Sequence, residues 1–223
     1  MTLINPDTRL CDVIEQEPSV IPVINRFGIR LGTSDRTVGE TCAMLGLDAD
    51  FVVAMLNTFI NESYFPEDTL KAFRPTEIAD YLAKTNVYYV RFQLPNIARH
   101  FDRLTASASG DSAPLQLMRQ FFDGLKTDMM RRADLDMDSW FPALASGADA
   151  MEAVTPAALD DEIADKISDL KSMFIKHLTG DFDENLCYGV IVALNTLEKD
   201  VRQNNRIRRR ILLPLSQNSA SCR

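Results

Sequence analysis

The chain has 223 residues, 46% of them hydrophobic, only 9 glycines and a formal net charge of -8 at pH 7. That is enough apolar material for one or two cores, while the acidic balance argues against a nucleic-acid surface spread over the fold, since phosphate contacts need clustered Lys and Arg. The opening MTLINPDTRLCDVIEQEP has no apolar run of the length of a signal peptide or membrane span, so a cytoplasmic location is expected.

Apolar spacing is helical from end to end, and the expected fold class is all-α. Up to about Asn61 the pattern predicts short helices, roughly Leu10 to Gln16, Ser19 to Phe27, Val38 to Leu45 and Ala49 to Phe59. Turn signals fall at Gly28, Gly32 and Gly46, with Asp35 and Asp48 as caps. These helices are expected to form a small domain over residues 1–65. Its apolar residues Phe51, Val52, Met55, Phe59 and Ile60 exceed what so short a unit can hide by itself. They are candidate partner-binding residues, and docking on the rest of the chain would use them equally well. The two helices around Gly46 have the lengths of a helix-turn-helix. The second, DADFVVAMLNTFI, carries two Asp and no Lys or Arg, so phosphates would repel it.

A Tyr-Phe-Pro link with Pro66 leads to Pro75, where the first long helix begins. Pro95 should kink that helix or mark a wide turn, because it removes one backbone donor. Loops over 106–114 and 146–156 separate the following helices, and residues 217–223 form a polar tail. Cys11, Cys42, Cys187 and Cys222 show no Cys-x2-Cys spacing and suit reduced thiols. Asp134, Asp136 and Asp138 begin like a calcium loop, but its glycine and final glutamate are absent. Arg206, Arg208, Arg209 and Arg210 are expected to fan around most of the last helix and to complement its macrodipole.

Two long helices carry polar pairs inside apolar stripes: Arg132 with Asp136, and Asn204 with Arg208, each four residues apart and so on one face. The second stripe reads Leu194, Leu197, Val201, Asn204, Arg208, Ile211, Leu215, so its polar centre should be buried. Pro142 follows Arg132 by ten residues, as Pro214 follows Asn204. This layout resembles the His-x3-Glu-x5-Pro ligand pattern of hemerythrin-like bundles, especially the iron-centre repair family, over nearly the whole chain. The segment YLAKTNVYYVRFQLPNIARHF looks like that family's first bundle helix, with its internal Leu94-Pro95.

The resemblance implies a four-helix bundle over residues 74–216, with the former ligand positions on Asn86 (or Val87 with a register slip), Arg132, Asp136, Asp160 or Asp161, Asn204 and Arg208. None is histidine. The chain's two histidines, His100 and His177, fall elsewhere, and arginine offers a metal no lone pair. The residues up to 65 resemble the family's small N-terminal domain, with Phe27-Gly28-Ile29 as its turn. Leu31-Gly32-Thr33-Ser34 then stands where that family has Cys-Cys-Gly-Gly.

The expected function is therefore that of a non-enzymatic, metal-free hemerythrin-like regulator that binds a protein partner, in stress or redox signalling of the kind the family serves. No cofactor is expected: Arg132, Arg208, Asp136, Asp160 or Asp161 and the amides Asn86 and Asn204 either form a polar cross-link in place of the metal, or Arg208 snorkels to the surface through a slight rotation of its helix. Membrane and sequence-specific nucleic acid are not expected as partners, and homo-oligomers stay open. The alternative is a di-iron protein of iron-sulfur cluster repair or oxygen/NO response, using Asp136, Asp160, Asp161, His100 and His177. A second alternative is a transcription-associated module using the arginine-rich helix.

Overall fold

The computed structural model describes residues 3–109, 113–146 and 162–216, and these are helical throughout apart from turns and two isolated β-bridges, Arg9 with Thr37 and Ser109 with Asp181. The first part holds α1 (Leu10–Gln16), a 3-10 turn (Pro18–Val20), α2 (Ile21–Arg26), α3 (Val38–Leu45) and α4 (Ala49–Ile60). These match the expected short helices, except that Pro18 and Pro22 tighten the second one into two pieces. Asp48 caps α4 by accepting from the Phe51 amide, as expected. Asp35 does not cap α3. Thr37 does, because Glu40 stands three residues on and completes a reciprocal capping box (3.1 and 2.8 Å). The link at Pro66 also contains a short helix that its turn residues did not suggest, α5 (Glu67–Lys71).

Long helical runs follow. The first consists of α6 (Pro75–Tyr88), a π-helical turn π1 (Tyr89–Gln93) and α7 (Leu94–Ser107). The second is α8 (Ala113–Leu135), π2 (Asp136–Trp140) and α9 (Phe141–Ser146). Then come α10 (Glu162–His177) and α11 (Glu184–Ile207), the latter continued by π3 (Arg208–Leu212). Helix α10 packs on α8 and α11, α7 packs on α8 and α11, and α6 packs on α9, α2 and π3. Asp160, Asp161, Cys222 and most of the 146–156 loop lie outside the described residues.

Each π turn ends two residues before a proline, with one residue between: Leu94 before Pro95, Phe141 before Pro142 and Leu213 before Pro214. Proline brings no N–H to the carbonyl four residues back, and its ring crowds that carbonyl. The chain widens by one residue instead. The amides of Leu94, Phe141 and Leu213 donate to the fifth carbonyl back, those of Tyr89, Asp136 and Arg208. The wide turn expected at Pro95 is thus present at three prolines.

Two apolar cores result. One holds Ile97, Phe101, Phe122, Leu170, Leu194 and their neighbours between α7, α8, α10 and α11. The other joins the first helices to the far ends of the long ones: Leu10, Ile24, Met55 and Leu56 share it with Ile78, Leu82, Trp140, Ile207 and Ile211. Among the described residues no helix is long and apolar enough to cross a membrane.

Candidate functional site

Tyr89, Asp136 and Arg208, the first residues of the three π turns, are all buried; Asp136 and Arg208 meet each other, and Tyr89 meets Asn204 beside them. Asp136 is fully buried and Arg208 is 2% exposed. The guanidinium grips the carboxylate with two hydrogen bonds, Nη1 to Oδ2 at 2.5 Å and Nη2 to Oδ1 at 2.6 Å. Asn86 on α6 donates a third at 2.9 Å. The Arg208 guanidinium also lies 5.0 Å from the Trp140 ring, whose indole N–H donates to the Ser216 hydroxyl at 3.2 Å. Arg132, 5% exposed, donates to Asn205 at 2.9 Å.

A second ion pair lies beside the first. Arg26, at the end of α2, holds the Asp200 carboxylate of α11 through both terminal nitrogens and donates to the Tyr81 hydroxyl at 3.2 Å. The amide nitrogen of Asn204 stands 2.7 Å from the Asp200 carbonyl, 2.8 Å from the Tyr89 hydroxyl and 2.9 Å from the Asp200 carboxylate. Three tyrosine rings, Tyr81, Tyr88 and Tyr89, lie 5.1 to 5.9 Å from the Arg26 guanidinium. Burial opposes the Arg26 charge, but the adjacent carboxylate outweighs it and holds the group well above its ordinary value.

Asn86, Arg132, Asp136, Asn204 and Arg208 are all buried and lie in this polar layer. Arg208 pairs with Asp136, as the cross-link reading required. Arg26, Tyr89, Asp200 and Asn205 were not singled out in the sequence. For Tyr89 a signal existed, because it precedes Pro95 by the same six residues that separate Asp136 from Pro142 and Arg208 from Pro214. Asp200 shares a helix face with Asn204. Nothing in the sequence ties Arg26 to a carboxylate 174 residues away.

The other candidates lie elsewhere. His177 is exposed, and His100 stands against Gly189, fifteen residues and so roughly 22 Å along the helix from Asn204. Val52, Met55, Phe59 and Ile60 are buried in the core shared with the long helices, and Phe51 packs edge-on against Phe27, Phe73 and Tyr81. Partner binding through these five would require the first helices to leave that core. The arginines do not fan as expected: Arg208 alone turns inward, whereas Arg206, Arg209 and Arg210 join Arg202 and Asp165 around one outer cleft. At about 100° per residue these four occupy roughly 100° of arc, and only Arg208 lies opposite.

This donor set does not suit a metal cluster. Both oxygens of Asp136 are held by Arg208, a fixed cation without a lone pair, the Asp200 carboxylate is likewise held by Arg26, and the other near groups are Arg132, amides and phenols. Among the described residues no three His, Cys, Asp or Glu side chains converge as metal ligands would. Cys42 and Cys187 are buried free thiols, and burial raises both above the ordinary value. In comparisons with known proteins, no family model and no curated protein matches the chain.

The tyrosines provide a pH test. Burial lifts the phenols of Tyr81 and Tyr89 above their ordinary 10.0, and for Tyr89 the Asp200 charge adds to the effect. Below that value both folded and unfolded phenols are neutral and the contribution to stability is complete. Above it the unfolded phenols ionise first, so stability is expected to hold to about pH 10 and fall as pH rises further. In a spectrophotometric titration, Tyr81 and Tyr89 should ionise only as the helical circular dichroism is lost. Ionisation of all five tyrosines in a folded chain would contradict this.

Proposed function

We infer that this chain is a metal-free hemerythrin-like four-helix bundle, with helical runs 75–107, 113–146, 162–177 and 184–216 as its members. It acts by binding a protein partner, without catalysis, as a regulator in stress or redox signalling. One observation carries the metal-free part of this reading: at the place where the resemblance puts iron ligands, Asp136 is occupied by Arg208 and Asn86 instead. A buried carboxylate with three charge-assisted or amide donors has little left to offer a cation, and the guanidinium beside it would repel one.

The regulatory part rests on the resemblance to the family. The Asp136–Arg208 pair and the Tyr89–Asn204 contact join the long helical runs to one another, and the Arg26–Asp200 pair ties the first helices to the last one.

Purified without oxygen, the protein is expected to be colourless and to carry fewer than about 0.1 iron per chain, before and after incubation with ferrous iron. About two irons per chain, with visible absorption, would overturn the metal-free reading. Arg208→Ala should gain no iron, because removing the cation supplies no ligand. Only Arg132→His, Asp136→Glu, Asn204→His and Arg208→Glu together restore the ligand types of the resembled motif.

A further inference from the structure

Val87 and Met137 are the sequence neighbours of Asn86 and Asp136 but face outward, 38% and 40% exposed. With Phe27, Tyr88 and Phe92 they form the walls of a cleft of about 860 Å³ that opens on the outer side of the polar layer. Phe92 is 62% exposed and stacks on Tyr88, with ring centroids 6.2 Å apart. Two of the walls are the π turns themselves, since Phe92 belongs to π1 and Met137 to π2. Ligand cavities commonly measure about 300–1,000 Å³, with mainly apolar walls and few polar groups. This cleft has both properties.

Its polar groups are one-sided. Lys84 can only donate, while the Arg26 side chain, 1% exposed, already holds Asp200 and Tyr81 through its terminal nitrogens. The Tyr88 hydroxyl already gives its proton to Gln93 at 2.8 Å, which leaves its oxygen as an acceptor, and Asn25 is the other side chain able to accept. Among the described residues no Asp or Glu lines the cleft, although acids outnumber bases 32 to 24 in the chain. Asp80 pairs with Lys84 from outside the wall, in an exposed i,i+4 contact that competes weakly. Arg26 Nε, moreover, is a buried donor with no hydrogen-bond partner among the described residues. Native interiors rarely leave such donors unmatched.

We propose that this cleft binds a small amphipathic anion, with an apolar body against Val87, Tyr88, Phe92 and Met137 and a carboxylate directed to Lys84. The site rests on the cleft alone and does not depend on the metal-free reading.

The full chain is titrated with the fluorescent aromatic anion 8-anilinonaphthalene-1-sulfonate, which is then displaced by decanoate or by 1-decanol. The expected result is one saturable dye site per chain, with decanoate at least about tenfold more effective than the uncharged alcohol. Met137→Glu puts a like charge in the wall and should weaken both anions at least about tenfold. Val192→Glu, at a position 44% exposed on α11 and outside the cleft, should leave them unchanged. Lys84→Gln, an exposed change, should remove the preference for decanoate over decanol at an unchanged melting temperature. Unsaturable dye uptake, equal displacement by the alcohol, equal losses in the two Glu variants, or an intact preference in Lys84→Gln would each overturn the proposal.

Discussion

Arg208→Ala is expected to destabilise the fold by about 3–5 kcal/mol, read as a shift of the urea unfolding midpoint at constant slope. The size follows from what is left behind. Asp136 is fully buried, and its carboxylate would keep only the Asn86 amide out of three hydrogen bonds. Stranding a buried charge costs far more than the net strength of the pair, because desolvation is no longer offset. The double variant Arg208→Met with Asp136→Leu should therefore be much nearer to wild type than either single change, within about 1–2 kcal/mol. A loss below about 0.5 kcal/mol for Arg208→Ala would mean that Asp136 reaches water and that the layer is not closed.

Removing residues 1–61 is expected to abolish cooperative folding of the remainder, which should aggregate. Ile78, Leu82, Ile207, Ile211 and Leu212 lie in one core cluster with Leu10, Ile24, Met55 and Leu56. Each of the five from the long helices is at most 2% exposed, and uncovering such a side chain costs about 1.5–3 kcal/mol. Partial exposure of five would already match the roughly 5–15 kcal/mol that holds a typical domain together. Polar losses add to this: Asp200 would lose Arg26, and Lys199 would lose both Glu17 at 3.2 Å and the Phe59 ring at 4.9 Å. Gel filtration and a thermal melt of the shortened chain decide the matter. A monomer that melts cooperatively would show that the long helices close a core without the first ones.

Arg26→Met separates the polar contribution from the apolar one. It keeps much of the side-chain volume but leaves Asp200 with Asn204 alone, so it should be destabilising while the apolar core stays filled. The arginine at the end of α2 is thus a joint between the first part of the chain and the last helix.

Much of the architecture was legible in local rules. Helical periodicity and scarce glycine indicate an all-α chain. The Asp48 cap, the boundaries of α1 and α3 and the wide turn before Pro95 each depend on interactions within one or two helical turns, and the residues that make them are adjacent in the sequence. Polar residues at apolar positions pointed to Asn86, Arg132, Asp136, Asn204 and Arg208, because helical spacing fixes the direction in which a side chain leaves its helix.

Their partners were not legible in the same way. Arg208 could have pointed to solvent, and its pairing with Asp136 depends on how α11 is rotated and on the residue that each π turn inserts. The match between Arg26 and Asp200 joins segments 174 residues apart, which no periodicity encodes. The fate of Phe51, Val52, Met55, Phe59 and Ile60 was open for the same reason. A short apolar helix has the same sequence whether it meets another protein or its own chain, and only packing against Ile78, Leu82 and Ile211 places it in this core. Spacing along one helix is a covalent property of the chain, whereas pairing between helices is decided by which buried charges and apolar faces can be satisfied together at one place.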